Sequence, residues 1–213
     1  MDSIINLLPQ VLEGLKVTLQ VFILTLVFSI PLGIVVSIGR LSKNKILSKV
    51  TGVYVLIMRG TPLLLQIVFI FFGLPNVGIT FDRFPAAIVA FTLNYAAYFA
   101  EIFRAGISSI DEGQYEGAKV LGFSQKYIFF RIILPQATKR ILPAMANEVI
   151  TLVKDTALVY VLGLDELLKI GKIAANTQAS LMPLVIIGVI YLLLIGIFTQ
   201  LFRLIENRYS YYQ

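Results

Sequence analysis

The sequence predicts an all-α integral membrane protein with five transmembrane helices, organised as a single transmembrane domain over residues 1–213. Its mean hydropathy is +0.86, and 58% of its 213 residues are hydrophobic whereas only 14% are charged. A soluble domain carries about 25% charged residues, and a domain of this size does not bury five long apolar stretches. A lipid bilayer is therefore the expected solvent.

Five segments are long and apolar enough to span the bilayer, for which about 20 residues are needed. They cover approximately residues 14–39, 50–74, 84–106, 139–162 and 181–204. The first is expected to be a retained span, because Asp2 and Glu13 precede it where a signal peptide has a basic region. Residues 1–12 are too short to cross and predict a separate interfacial turn or short helix.

The centre of the second span contains Arg59, Gly60, Thr61 and Pro62. Proline removes a backbone donor and clashes with the carbonyl four residues earlier, that of Met58, so a kink or opening is expected there. The freed backbone groups and Arg59 could meet a ligand carboxylate. The alternative is an arginine that only holds helices together.

Basic residues are concentrated in alternate loops. Twelve follow the first, third and fifth spans, whereas four lie on the opposite side, namely Lys16, Arg83, Lys169 and Lys172. Cytoplasmic loops are enriched in Lys and Arg, so the N-terminus is expected outside and the C-terminus in the cytoplasm. The formal net charge of +6 follows this topology, and no nucleic-acid partner is expected.

The segment at about residues 107–138 is too long to be a simple connector. Asp111 is a candidate N-cap and Gly122 a candidate helix stop, which predicts a short helix between them. The following SQKYIFFRIILP (124–135) has helical spacing and predicts an interfacial helix. The segment 163–180 also has helical periodicity and is expected to cap the external mouth.

The residue types needed for most enzyme chemistry are absent. The chain has no cysteine and no histidine, so thiolate chemistry, the commonest general base and the commonest metal ligand are excluded. The nearest approach to a phosphate loop, at Gly171-Lys172-Ile173, has Glu166 where the first glycine is needed. We therefore predict no catalytic residue, metal site or cofactor in this chain, and any ATP hydrolysis on another chain.

The loop sequence EGAKVLGFSQKYIFFRIILP contains Glu116, Gly117 and Ala118, then Gly122, and ends in an I-x-L-P pattern. It resembles the EAA loop of ABC-importer permeases, with Gly117 where that family usually has alanine. The resemblance implies a type I importer permease fold in which this segment is a coupling helix that docks in a groove of the ATPase subunit. The alternative is a solvated connector with a chance match.

Three further stretches narrow the resemblance to polar amino acid permeases of the histidine, glutamine and arginine uptake systems. They are MRGTPLLLQ, LNYAAYFAEIFRAGISSIDEGQYEGAKVLG and TLVKDTALVYVLGLDEL. The resemblance implies a bacterial plasma-membrane importer that works as a permease dimer, a homodimer or a pair of related chains. It also implies a pair of ATPase subunits, which would bind ATP and Mg, and an extracellular amino-acid-binding protein.

Polar residues within the spans are the candidate substrate ligands, because a charge in hydrocarbon is unfavourable unless it is paired or faces a wet cavity. One set shares a face of the third span and another shares a face of the fourth. Together with the second-span residues, the candidates are Arg59, Thr61, Asn94, Tyr98, Glu101, Glu148, Asp155 and Thr156.

Three carboxylates on one cavity favour a cationic ligand, so a basic amino acid is the predicted substrate. Purely structural ion pairs are the alternative, Glu101 with Arg104, Lys154 with Asp155, and Glu148 with Arg59, while Asn94 and Tyr98 would join helices. A permease for glutamine or another neutral polar amino acid, an ATP-independent solute channel, and a structural subunit without a pocket remain the other functions to test.

Overall fold

A computed structural model describes residues 2–209, and Met1 and residues 210–213 of the expected domain lie outside the described residues. The described chain forms nine α-helices: α1 Asp2–Arg40, α2 Lys45–Gly60, α3 Leu63–Val68, α4 Arg83–Ser108, α5 Glu112–Val120, α6 Gln125–Tyr127, α7 Leu134–Asp155, α8 Leu167–Thr177 and α9 Met182–Tyr209. Two π-helical segments, Phe69–Gly73 and Ile128–Ile133, and two 3-10 segments, Leu74–Val77 and Thr156–Leu162, continue these helices.

Three helices are long and apolar enough to cross a membrane, at Leu7–Arg40, Arg83–Ser108 and Met182–Arg208. The pair Lys45–Gly60 and Leu63–Val77 qualifies as a fourth, bent span. The predicted fourth span at 139–162 lies in helix α7 and its 3-10 extension. This segment contains several charged side chains and is not among the described helices that are apolar enough to cross a membrane. The count of five spans therefore stays a prediction.

The predicted separate helix at residues 1–12 is wrong for the described part of that segment. Helix α1 runs from Asp2 to Arg40 without interruption, with Pro9 and Pro31 inside it. Apolar residues on either side of Pro9, including Leu7 and Val11, are buried against α8 and α9. This packing keeps the first turns helical and continuous with the span.

The predicted break in the second span is confirmed. The two halves are bent by 104°, and Thr61 and Pro62 between them have extended backbone conformations. Pro62 has no N–H to continue the helical ladder, and the residue before a proline avoids the α conformation. The Met58 carbonyl freed by the break accepts from the side-chain amides of Asn94 on α4 and Gln66 on α3.

The predicted short helix of the long loop is confirmed as α5. Asp111 caps it by accepting a 2.7 Å hydrogen bond from the Gly113 amide. Gly122 follows it with φ of +80°, and the amides of Gly122 and Phe123 donate back to Lys119 and Ala118. This is a Schellman stop, in which glycine adopts the left-handed conformation without strain.

The expected interfacial helix at 124–135 is not a separate element. Ser124 caps a helix that continues from Gln125 through the π-helical segment into α7. Ile128 and Ile133 are buried with Ala118 of α5, so this part packs beneath α5. Pro135 does not end the helix; it follows the π-helical segment Ile128–Ile133 directly, and local π-helical turns are one way in which membrane helices accommodate a proline.

Helix α4 lies at the centre of the packing, with Phe91, Tyr95 and Phe99 almost wholly buried. Helix α1 approaches it closely at Gly33, where an added Cβ would lie 2.8 Å from the Cβ of Phe99. Small residues permit this backbone approach between membrane helices. The central position of α4 brings its polar residues between the broken span and α7.

Candidate functional site

A cavity of about 590 Å³ lies where the break between α2 and α3 faces α4 and α7. It is open enough to admit a small solute and has a size typical of small-molecule sites. Its polar lining comes from three different parts of the chain: Arg59 and Thr61 at the break, Asn94, Tyr95 and Tyr98 on α4, and Glu148, Thr151 and Asp155 on α7.

Six of the eight predicted substrate residues therefore meet around one cavity. They are Arg59, Thr61, Asn94, Tyr98, Glu148 and Asp155. The expected turning of the two polar helix faces toward each other is found, with the break in the second span as a third wall. The assignment of these residues to a ligand stays a prediction.

The Arg59 guanidinium lies over the ring of Tyr98, with its central carbon 5.0 Å from the ring centroid. Within residues 2–209, no salt bridge within 4.0 Å involves Arg59, Glu148 or Asp155. The two structural ion pairs expected as alternatives for these residues are therefore not formed. A cation held by an aromatic face and two carboxylates remain accessible to a ligand in the cavity.

The amides of Asn94 and Gln66 hold the break open. Asn94 Nδ2 donates to the Met58 carbonyl at 2.9 Å and to Gln66 Oε1 at 3.0 Å. Gln66 Nε2 donates to the Met58 carbonyl at 2.9 Å and to Thr61 Oγ1 at 2.8 Å. The Met58 carbonyl is the one that Pro62 leaves without its helical donor, so this amide pair satisfies it.

Asn94 thus has a structural part in addition to lining the cavity. It is 3% exposed, and its amide nitrogen donates both of these hydrogen bonds. The alternative that Asn94 joins helices is supported by this geometry. Its side-chain orientation is fixed by the bonds, as in preorganised binding sites whose lining residues have locked conformations.

Asp155 is bonded to a residue that the sequence had not singled out. The Tyr95 hydroxyl donates to Asp155 Oδ2 at 2.7 Å, which joins α4 to the C-terminal end of α7. Glu148 and Thr151 lie on the same face of α7 and line the same cavity. This hydrogen bond fixes the Asp155 carboxylate at the cavity wall. Because its donor, the Tyr95 hydroxyl, is uncharged, the negative charge of the carboxylate is not neutralised.

Glu101 is not among the residues that line this cavity, and its part in substrate binding stays a prediction. Its carboxylate accepts from Arg40 Nε at 3.1 Å and from Arg104 Nη2 at 2.8 Å, so the structural pairing with Arg104 is found. Glu101 lies one helical turn beyond Tyr98, where α1 and α4 converge, and the two arginines surround it. It lines a second cavity of about 430 Å³ that continues from the first past Arg59, Tyr98 and Glu148.

Thr156 is also outside the cavity. It is fully buried, and its hydroxyl donates to the Val153 carbonyl at 2.7 Å. The change from α-helix to 3-10 helix at this residue turns its side chain into the protein interior. Sequence proximity to Asp155 could not reveal that change.

Two residues of the site, Gln66 and Tyr95, were not predicted from the sequence. Gln66 is a single polar residue in the apolar run after Pro62, and such a residue in a span needs a partner. Tyr95 is adjacent to Asn94, so simple helical spacing assigns it to a different face. Its length lets the hydroxyl reach Asp155 while the ring stays 2% exposed.

Helix α5 forms a second candidate site, at the other end of the molecule. Glu116, Gly117 and Gly122 are exposed, whereas Ala118 is buried against the following helix. The apolar side chains at the C-terminal end of the helix are exposed, with Val120 87% and Leu121 74% accessible. An exposed apolar end on a short capped helix is suited to insertion into a groove of another protein.

Residues 29–211 match the family model described as "binding-protein-dependent transport system inner membrane component". The arginine transport system permease protein ArtQ of Bacillus subtilis (strain 168) is 41% identical over 203 residues, covering 94% of this chain and 93% of the relative. A putative glutamine transport system permease protein, GlnP of Rickettsia bellii (strain RML369-C), is 34% identical over 212 residues, covering 97% of each chain.

Among solved structures, the fold matches a crystal structure of an amino acid ABC transporter with histidines. The TM-score is 0.90 at 35% sequence identity, over 97% of each chain. The helices are therefore arranged as in a type I ABC permease.

The chain belongs to the binding-protein-dependent transport system inner membrane component family. It is a membrane-spanning permease subunit of an ABC transporter, and its relatives of known name place it among the amino acid importer permeases. The resemblance predicted from the sequence is confirmed. Membership of this family implies ATPase and substrate-binding partners.

Proposed function

We propose that this permease translocates a basic amino acid, with arginine, lysine and histidine as the candidate substrates, by alternating access of the cavity beside Arg59. The observation that carries the proposal is the charge of the cavity wall. One cation, Arg59, stands against two carboxylates, Glu148 and Asp155, which leaves one formal negative charge. A zwitterionic amino acid with a cationic side chain neutralises that charge, whereas a neutral amino acid leaves it unbalanced.

The break in the second span supplies the site for the common part of the substrate. Arg59 is the counter-ion for the α-carboxylate, because a guanidinium matches a carboxylate with two parallel hydrogen bonds. The α-ammonium and the side-chain cation are then matched by Glu148 and Asp155 on α7. Discontinuous helices that present backbone and charge to a ligand at the middle of a span are typical of transporter sites.

The relatives support an amino acid as the solute and differ in which one they name. ArtQ is named for arginine and GlnP for glutamine. A permease for glutamine or another neutral polar amino acid is therefore the second candidate. It is favoured if arginine and glutamine bind the purified complex equally well, because the net negative charge of the wall would then not decide the substrate.

Carboxylate-to-amide variants test the proposed site. In the purified complex, Glu148→Gln and Asp155→Asn are each expected to weaken equilibrium arginine binding at least about 30-fold, as removal of one member of a buried charge pair does. Glu13→Gln removes the same charge from an exposed side chain far from the cavity and is expected to leave binding unchanged. Unchanged binding in both cavity variants would contradict the site, and would leave a structural subunit without a pocket.

We propose that α5 is the coupling helix, with Glu116, Gly117, Ala118 and Gly122 as its key residues, and that it docks on an ABC ATPase. Its exposed apolar end and its firm Schellman stop support this. The ATPase pair binds ATP and Mg, and the closure of that pair moves α5. A second permease subunit, identical or related, and an extracellular amino-acid-binding protein complete the proposed complex.

We propose that the N-terminus lies outside and the C-terminus in the cytoplasm of a bacterial inner membrane. The end of α1 and the end of α4 meet through Arg40 and Glu101, and the Arg140 guanidinium on α7 contacts the carbonyl of Ser109. These contacts put the two most basic loops on one side, as the positive-inside rule requires of cytoplasmic loops.

Single cysteines test the orientation, because the chain has no cysteine of its own. In whole cells, an impermeant maleimide is expected to label Lys172→Cys and to leave Lys126→Cys unlabelled until the cells are opened. The opposite pattern would reverse the topology.

An ATP-independent channel is the remaining alternative. In proteoliposomes, the importer is expected to accumulate arginine only with the ATPase and ATP present. Flux that persists undiminished without them would contradict the importer function.

A further inference from the structure

The hairpin between α1 and α2 carries a strongly basic groove that the transport function does not use. The groove has a volume of about 460 Å³ and is lined at its polar end by Arg40, Lys43, Lys45 and Lys49. The three lysines are exposed, and none has a salt bridge among the described residues. The groove lies at a membrane surface, because α1 ends its span at Arg40 and α2 begins the next at Lys45.

No acidic residue of the hairpin balances these cations. Between Glu13 and Asp82 the sequence contains neither Asp nor Glu. Among the described residues, Arg40 is paired with Glu101 of α4, and no salt bridge compensates the three lysines. This imbalance of charge favours an anion in the groove.

The groove is amphipathic along the length of α2. Lys45, Lys49, Val53 and Leu56 are spaced by four, four and three residues and so share one helix face. All four line the groove, and Val53 and Leu56 are 48% and 71% exposed. From Lys45 to Leu56 the face extends about 16 Å along the helix axis, with charge at the membrane surface and apolar side chains toward the membrane interior.

We propose that this groove binds the headgroup of an anionic phospholipid, with an acyl chain along Val53 and Leu56. Basic clusters at the end of membrane helices attract anionic lipid headgroups, and the lysines can also reach the headgroup level while their stems stay in the apolar phase. Ser42 also lines the polar end; its hydroxyl accepts from the Asn44 amide and keeps its own proton to donate to a phosphate. The Ser48 hydroxyl donates to the Arg40 carbonyl and so helps to hold the hairpin that carries the lysines.

Two other occupants fit the groove less well. A soluble protein partner could bind the lysines but could not reach Val53 and Leu56 within the membrane. A second copy of the chain in a twofold contact would oppose the same surface to itself, and the α1–α2 hairpin offers no acidic residue to match the lysines.

Native mass spectrometry of the purified transporter complex in a zwitterionic detergent tests the proposal. Phosphatidylglycerol is expected to be retained with higher affinity than phosphatidylcholine of the same acyl chains. In the double variant Lys45→Gln/Lys49→Gln that affinity is expected to fall about 30-fold, which is about fivefold for each lysine near the headgroup. The matched control Lys119→Gln/Lys126→Gln removes two exposed lysines elsewhere and is expected to retain the lipid.

Other outcomes would overturn the proposal. They are equal retention of the two lipids, unchanged phosphatidylglycerol affinity in the double variant, and displacement of the lipid by millimolar inorganic phosphate, which would indicate a free-anion site. Loss of the lipid in both double variants would indicate a general charge effect and would also contradict the site. A melting curve of the double variant matching that of the native complex shows that it is folded, and Lys43→Gln gives a milder second test.

Discussion

The Tyr95 hydroxyl donates a 2.7 Å hydrogen bond to the Asp155 carboxylate, and this bond joins the central helix α4 to the cavity face of α7. Tyr95 is 2% exposed, so it acts on the cavity from behind the wall. The bond fixes the position of a carboxylate that the proposed substrate needs, which makes Tyr95 a positioning residue.

Tyr95→Phe removes this donor and keeps the ring. We expect a loss of about 0.6 to 1.7 kcal/mol in stability, the range found for hydrogen bonds between membrane helices, together with a several-fold loss in arginine affinity. The matched control is Tyr54→Phe, which removes a 2.6 Å hydrogen bond to the Leu93 carbonyl away from the cavity. Thermal unfolding and equilibrium binding of both variants distinguish the cases. Equal losses of affinity in the two variants would contradict the positioning role of Tyr95.

Asn94→Leu tests the amide pair that holds the second span open. The substitution leaves Gln66 Oε1 without its donor and removes one of two donors from the Met58 carbonyl. We expect the unfolding free energy to fall by about 1 to 3 kcal/mol and uptake to be lost. Asn76→Ala, in an exposed side chain that bonds only its own helical turn, is expected to have little effect. Normal uptake by Asn94→Leu would show that the break does not need this bond.

Gly117 within α5 and Gly122 just after it test two separate properties, the rigidity of the helix and its termination. An added Cβ at Gly117 meets nothing within 4 Å, so Gly117→Ala is expected to raise helix stability by about 1 kcal/mol and to keep uptake. Gly122 has φ of +80°, where a β-branched residue is strained. In Gly122→Val we expect uptake to be lost while arginine binding by the purified complex persists. Full uptake at normal expression would contradict the coupling role of the segment.

Glu166, the N-cap residue of α8, is expected to make the stability of the protein depend on pH. It is fully buried and accepts hydrogen bonds from the amides of Leu168 and Lys169 and from the Tyr191 hydroxyl. Burial raises the pKa of this carboxyl above its ordinary value, although these bonds and the charge of Lys169 oppose the shift. The native state therefore binds the proton more tightly than the unfolded state does.

The contribution of Glu166 is fully present below its ordinary pKa of about 4.3 and is lost as the pH rises through the raised pKa of the folded state. The melting temperature is expected to fall over that interval, and Glu166→Gln is expected to flatten the fall. Asp165→Asn, in an exposed side chain paired with Lys169, is the control. If the melting temperature of Glu166→Gln falls as much with rising pH as that of the native protein, the pH dependence comes from other groups.

Much of the architecture follows from local sequence signals. The apolar lengths locate four spans, Pro62 locates the break, and Asp111 and Gly122 bound α5, because each depends on a few neighbouring residues. The continuity of α1 through Pro9 was not predictable, because it depends on burial of its first turns against α8 and α9. The merger of residues 124–135 with α7 likewise depends on packing beneath α5.

The candidate site follows from sequence to the extent that helical periodicity holds. It assigns Asn94 and Tyr98 to one face, and Glu148 and Asp155 to another. It fails at Thr156, where the helix changes type, and at Glu101, where Arg40 comes from a segment 61 residues away. Tyr95 and Gln66 were missed because their partners lie on other helices, and periodicity within one helix contains no information about them.

Equilibrium binding of arginine and of citrulline to the purified complex tests the central claim most directly, because the two amino acids have nearly the same shape and differ in side-chain charge. A cavity wall with two carboxylates against Arg59 predicts arginine binding at least about tenfold tighter, with the preference lost in the double variant Glu148→Gln/Asp155→Asn. Equal affinities in the native complex, or a preference that survives in the double variant, would contradict recognition of a basic amino acid by this cavity.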